Sequence, residues 1–230
     1  MKIGAFKKIT LNNFPNEVSS CLWTLGCNLR CKFCHNVYLL DSKTPSLNSN
    51  DILRQLYKIK NLVSGICFSG GEPLLQRDLS EFIQILKVNE FKIKIDTNGT
   101  YPARMKTLLA NGYIDYIAMD IKGKFEDYKE ITQRDISTEL LRHSVDIIYN
   151  SGIKHEFRIT VVDSLHKEED LYEIGSLLAG SEGKLILQPF QKENALCPFL
   201  RESGKSFPIE TLELIAKDIS NLYIESYVRS

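Results

Sequence analysis

The sequence predicts an α/β fold: an open partial (β/α)6 barrel, TIM-like, forming a single domain over residues 1–230 with its core at about 17–190. Three observations lead there. Short apolar runs alternate with stretches of helical period, the signature of repeated βα units. The later strands alternate polar and apolar residues, so their polar side chains share one face. The length, 230 residues, suits one generous α/β domain. A doubly wound sheet is the alternative. A filled eight-stranded barrel would pack its interior with branched apolar side chains, whereas polar residues converging inside favour an open barrel with room for a ligand at the C-terminal strand ends.

An N-terminal strand or hairpin is expected at about 2–12. Strands are expected at 20–25, 65–69, 92–97, 116–121, 156–162 and 184–189, each bounded by Gly, Pro, Asn or a charge cluster. Between them, Ile52, Leu56 and Ile59 share a helical face, as do Leu79, Phe82, Ile83 and Leu86. The same spacing recurs in Leu141, Val145 and Ile148 and in Leu171, Ile174 and Leu178; helices packed on a sheet need it. A helix near 209–219 and a strand at 222–228 form a C-terminal extension over 191–230. Polar faces are expected for Lys94 and Asp96, for Ala118, Asp120 and Lys122, and for Arg158 and Thr160.

Lys and Arg number 29, as do Asp and Glu, which gives no overall electrostatic reason to bind nucleic acid or an anionic membrane. No stretch of about 18 apolar residues occurs, and the first residues lack an apolar core with a cleavage site. Secretion and membrane spanning are not expected, and a cytoplasmic setting is. Six cysteines are present, of which Cys27, Cys31 and Cys34 crowd one short segment while Cys21, Cys67 and Cys197 are scattered. A disulfide framework would not look like this. Cys21 and Cys67 read as small buried hydrophobes and Cys197 as an incidental thiol.

The crowded segment, Cys27-Asn28-Leu29-Arg30-Cys31-Lys32-Phe33-Cys34-His35-Asn36, follows the first strand of the first βα unit. Soft sulfur ligands favour zinc or iron–sulfur chemistry. Zinc would draw a fourth ligand from His35, Cys21 or Cys67; a cluster serving electron transfer alone would also want a fourth cysteine. Three ligands and no fourth leave one iron open to a small molecule. Ser69-Gly70-Gly71-Glu72-Pro73 ends the second strand, Asp96-Thr97-Asn98-Gly99 the third and Met119-Asp120-Ile121-Lys122 the fourth. Singly these are turns, caps and an exposed ion pair.

As a set in this order, the motifs resemble the radical S-adenosylmethionine (SAM) superfamily, whose mark is C-x3-C-x2-C with an aromatic, here Phe33, before the last cysteine. Over about residues 1–190 the chain is most similar to the anaerobic ribonucleoside-triphosphate reductase activating proteins. The resemblance implies one [4Fe-4S] cluster on Cys27, Cys31 and Cys34, with SAM on the fourth iron. It implies SAM contacts from Phe33, Gly70, Gly71, Glu72, Asp96, Thr97, Asn98, Asp120, Lys122, Arg158 and Gln188, with Gln191 where the pyruvate formate-lyase activator has a histidine. Glu72 and the adjacent peptide edge would meet the SAM amino group, and Lys122 and Arg158 the carboxylate. Asp96 and Asp120, with Thr97 and the Ala118 carbonyl, would hold a monovalent cation. Arg158 has a physical motive too, since a guanidinium within a strand is costly to bury without an anionic partner.

The activity implied is reductive cleavage of SAM, with an external low-potential electron donor, to leave a glycyl radical on an anaerobic ribonucleoside-triphosphate reductase. Alternatives are activation of a formate-lyase-type enzyme, a small-molecule radical reaction, or a zinc or iron–sulfur module without turnover. A protein substrate needs docking surfaces, and the charged segment 122–135 and the loop after Phe190 are the candidates.

Overall fold

The alternation of apolar runs and helical stretches becomes, in the computed structural model, eight strands and eight α-helices among the described residues, which are 1–41 and 44–229. They fall into two compact units. The first contains Met1–Asn28, Tyr38–Thr97 and Ala103–Ile117; the second contains Leu29–Val37, Asn98–Pro102 and Ala118–Ser230.

In the first unit, β1 (Ile3–Thr10) runs antiparallel to β2 (Ser19–Thr24), with Lys7 opposite Cys21. Parallel pairing then joins β2 to β3 (Gly65–Gly70) and β3 to β4 (Lys92–Thr97). Helix α1 (Ser49–Lys58) starts where the Asn48 side chain accepts the Asn50 and Asp51 N–H groups, satisfying donors the helix itself cannot. Its Ile52 and Leu56 are buried. In α2 (Leu79–Val88) the buried set is Leu79, Phe82, Ile83 and Leu86, the stripe its period predicts. Each such side chain removed from water contributes about 2 kcal/mol. Helix α3 (Pro102–Ala110) leads to β5 (Tyr116–Asp120), whose first two residues belong with this unit and the rest with the second.

In the second unit, α4 (Tyr128–Thr132) and α5 (Thr138–Tyr149) precede β6 (Lys154–Val161), and α6 (Glu168–Leu177) precedes β7 (Lys184–Pro189). Strands β6 and β7 pair in parallel, as do β7 and β8 (Ser226–Val228), placing Thr160 opposite Gln188. The expected period-two split is seen in β6: Phe157, Ile159 and Val161 are buried apolar residues, and Glu156, Arg158 and Thr160 alternate with them. In β4, Lys94 and Asp96 are likewise buried on one face.

Three stretches take forms beyond the sequence expectation. The terminal strand is confined to Ser226–Val228 because α8 (Ile209–Leu222) continues its apolar stripe through Leu212, Ile215, Ala216 and Ile219. The Ser220 hydroxyl then accepts the Ser226 N–H (2.6 Å) and donates to the Ser226 carbonyl (3.0 Å), closing the turn. The charged segment 122–135 contains α4, which buries Tyr128, Ile131 and Thr132, and the loop after Phe190 leads into the short helix α7 (Pro198–Ser203). Among the described residues no helix is long and apolar enough to cross a membrane.

The end of β3 depends on glycine. Gly70 has φ +111°, and a Cβ on Gly71 would fall onto the Gly26 carbonyl oxygen, whose partner is the Glu72 N–H at 2.9 Å. Both sides of that clash are backbone, so neither can rotate away. Gly71→Ala therefore destabilises by more than about 2 kcal/mol, whereas Gly112→Ala, at φ +66° in open space, costs about 1 kcal/mol for its left-handed conformation alone. Denaturant unfolding of the two variants checks the order; equal losses would contradict it.

Candidate functional site

Cys27 follows β2 in the first unit, while Cys31 and Cys34 lie on Leu29–Val37 of the second. That second segment has almost no regular structure, yet its backbone is held from two sides. The Arg30 and Lys32 N–H groups donate to the Thr132 and Ile131 carbonyls at the end of α4, both at 2.9 Å. The Lys32 and Cys34 carbonyls accept from the Cys197 and Leu196 N–H groups at 2.9 and 3.0 Å. His35 stacks on Phe190 (5.7 Å, 19°) and bonds through Nε2 to the Gln191 carbonyl. Between the clamps, the Cys34 N–H reaches the Cys31 carbonyl at 3.0 Å, a reverse turn that brackets the two cysteines.

All six cysteines are thiols. Burial pushes the Cys34 thiol up, against the lowering influence of the Asn36 amide, Lys122 and Arg30, so ligation has to take its proton away. Among the described residues, no three His, Cys, Asp or Glu side chains are gathered closely enough to hold an ion. The donor set fits an iron–sulfur centre by its chemistry: soft sulfur on a turn whose backbone bonds are made elsewhere. Cys21 and Cys67 face each other across β2 and β3, fully buried. Cys197 meets the loop through its backbone N–H.

In the first unit, Gly70 and Gly71 form the strand-end turn already described. The Glu72 carboxylate is fully buried and accepts the Leu74 N–H (3.0 Å) and the Thr97 hydroxyl (2.8 Å). Asp96 pairs with Lys94, whose ammonium also lies 5.7 Å from the Tyr116 ring centre. In the second unit, Asn98 is turned on its own chain, accepting the Thr100 N–H and hydroxyl at 3.0 and 2.6 Å.

The remaining residues of the second unit join a ladder of alternating charge. Arg229 meets Glu156 at 3.0 Å, Glu156 lies 3.8 Å from Arg158, Arg158 Nε donates to Asp120 at 2.7 Å, and Asp120 meets Lys122 at 3.2 Å. Lys122 Nζ lies over the Phe33 ring, 5.8 Å from its centre. Burial alone would raise the Asp120 carboxyl, but Arg158 and Lys122 outweigh it and hold it well below the usual carboxylate range. Burial would likewise lower Lys122, and Asp120 reverses this, lifting it above the usual lysine range. Gln188 is half-buried opposite Thr160.

Arg158 thus finds its anionic partner within the protein, and the desolvation argument that assigned it to a substrate carboxylate is met by Asp120 and Glu156. Sequence reasoning missed Tyr128, whose hydroxyl accepts the Lys122 N–H at 3.0 Å, and Arg229. For Glu156 a signal existed, the alternation of β6; for the other two, no local pattern points to them.

The depressed Asp120 carboxyl has a consequence for acid stability. Its folded-state value lies below the unfolded one, so its contribution is complete above about pH 4 and is lost as pH falls further. The stability gap between the protein and Asp120→Asn, measured by denaturant unfolding, narrows from neutral pH to about pH 3. A constant gap would contradict the ladder.

The family model of the Radical SAM superfamily matches residues 22–174. A Methanocaldococcus jannaschii protein named for glycyl-radical enzyme activation is 30% identical over 213 residues, covering 84% of this chain and 86% of its own. The pyruvate formate-lyase-activating enzyme of Clostridium pasteurianum is 27% identical over 161 residues, covering 66% of each chain. Among solved structures, Streptococcus suis SuiB bound to the precursor peptide SuiA superposes with a TM-score of 0.74 at 15% identity over 95% of this chain. The chain spans about half of SuiB, 49%. That likeness concerns the fold alone, and it is the open α/β barrel class expected from the sequence. With its family model, its motifs in order and its relatives all in agreement, the chain belongs to the radical SAM superfamily, as a homologue of its glycyl-radical-enzyme activating enzymes.

Proposed function

We propose that this chain reductively cleaves SAM and leaves a glycyl radical on a partner enzyme, an anaerobic ribonucleoside-triphosphate reductase. The observation that carries the reading is C-x3-C-x2-C on one loop, followed in order by the glycine-rich, Asp-Thr-Asn and Asp-x-Lys strand ends. The relative that shares 30% identity across 84% of the chain supports the activating role. When bound, a [4Fe-4S] cluster supplies one electron to the SAM sulfonium, which yields methionine and a 5′-deoxyadenosyl radical able to take a hydrogen atom from glycine.

The chain's own residues do the rest. Cys27, Cys31 and Cys34 hold three irons. Glu72, oriented by the Leu74 N–H and the Thr97 hydroxyl, and the adjacent peptide edge of Gly70 and Gly71 receive the SAM amino group. Lys122 meets the SAM carboxylate, and Arg158 holds Asp120 in place behind it. Phe33, Thr97, Asn98 and Gln188 bound the remainder of SAM. A monovalent cation at Asp96 or Asp120 would compete with Lys94 or with Arg158 and Lys122. The setting is cytoplasmic, with an external low-potential donor.

The test mixes the anaerobically reduced protein, SAM and the candidate reductase and records the electron paramagnetic resonance spectrum. A protein-based glycyl radical is expected, and Cys31→Ala abolishes it while retaining the fold, because the loop hangs on elements that fold without it. SAM cleavage with no radical on the reductase would contradict the assigned target. A radical formed instead on a formate-lyase-type enzyme would fit the similarity to the Clostridium pasteurianum activator.

A further inference from the structure

Lys122 is fixed by more than its ion pair. Its N–H is taken by the Tyr128 hydroxyl, and its carbonyl lies 3.0 Å from His166 Nε2. His166 is itself buried, 3% exposed, in the turn between β6 and α6. The Val162 N–H lies 3.0 Å and the Val162 carbonyl 3.2 Å from its Nδ1; with the ring proton on Nε2 the ring accepts from the Val162 N–H and donates to the Lys122 carbonyl, whereas a proton on Nδ1 keeps only the bond to the Val162 carbonyl. The opposite tautomer would set the Nε2 lone pair against the Lys122 carbonyl oxygen, two acceptors face to face. One edge of the same ring approaches Phe33, with centroids 6.4 Å apart.

We propose that His166 is a positioning residue for Lys122: its Nε2–H grips the Lys122 carbonyl, and its ring backs Phe33, so that the ammonium leaves a fixed point of the chain toward the face of that ring. This rests on the reading of Lys122 as a SAM contact. A lysine side chain has several freely rotating bonds, and an ammonium held only by Asp120 would sweep an arc. Pinning both the N–H and the C=O of its own residue removes the backbone share of that freedom, as a preorganised charge requires. Burial keeps the imidazole neutral, outweighing the Lys122 and Val162 carbonyls and the carboxylates of Asp170 and Asp127, which favour the charged form.

Two isosteric substitutions separate the ring's two bonds. His166→Asn keeps an acceptor for the Val162 N–H and is too short to reach Lys122; His166→Gln keeps a donor for the Lys122 carbonyl. For the reconstituted protein, SAM affinity by equilibrium binding is expected to fall about tenfold in His166→Asn, the scale of one lost hydrogen bond, and to be largely recovered in His166→Gln. Equal losses in both, or no loss in His166→Asn, would overturn the proposal. Nitrogen-15 spectra of the full chain without cluster or SAM test the clamp separately. They should show a neutral Nε2–H imidazole at neutral pH, and Lys122 resonances displaced by His166→Asn but not by His166→Gln. An Nδ1–H or charged ring, or equal displacement by both variants, would overturn the clamp. Failure of the unsubstituted protein to bind SAM would instead overturn the functional reading and leave the clamp to be judged by the spectra.

Discussion

A loop that offers thiolates to a metal centre must have its backbone held by something other than itself. Leu29–Val37 has almost no regular structure, and buried peptide groups left without partners cost as much as a lost hydrogen bond each. Its N–H groups therefore go to the end of α4 and its carbonyls receive those of Leu196 and Cys197. That requirement explains parts of the chain that carry no chemistry. The short helix α4 breaks a charged segment to present two C-terminal carbonyls, and the stretch after Phe190 lies along the cysteines to present two amides. Cys197 earns its position through its N–H, which any residue but proline could supply.

The second constraint is electrostatic. Strand β6 alternates strictly, so Glu156 and Arg158 emerge on the same face, and neither can be buried without partners. Arg229 and Asp120 close the ladder at its two ends and Lys122 extends it toward Phe33. The ammonium at the end of this ladder is the group the functional reading needs most. Its residue is tied through backbone as well as side chain, by Tyr128 at its N–H and His166 at its carbonyl.

Much of this was legible in the sequence because its signals are local. The βα alternation rests on periods of two and about 3.6, and the helix faces at Leu79, Phe82, Ile83 and Leu86 or at Leu141, Val145 and Ile148 are buried as their spacing requires. The cysteine loop was legible because its spacing is a property of one segment. What escaped were partnerships between distant segments. The sequence shows that Arg158 needs an anionic partner, but not that Asp120, from another strand, is one. Segment 122–135, expected as a docking surface, carries charges that hide the burial of Tyr128 and Ile131, and the bond of Glu72 to Thr97 depends on how β3 and β4 lie side by side. Each of these is decided by register between elements, which no window of the chain contains.

The central claim is that Cys27, Cys31 and Cys34 hold a cluster with one iron open to SAM. The most direct test is the electron paramagnetic resonance spectrum of the anaerobically reconstituted and reduced protein before and after SAM is added. A reduced [4Fe-4S] signal whose shape changes on addition of SAM is predicted. A cluster signal indifferent to SAM, or a protein that takes up zinc and no sulfide, would contradict it.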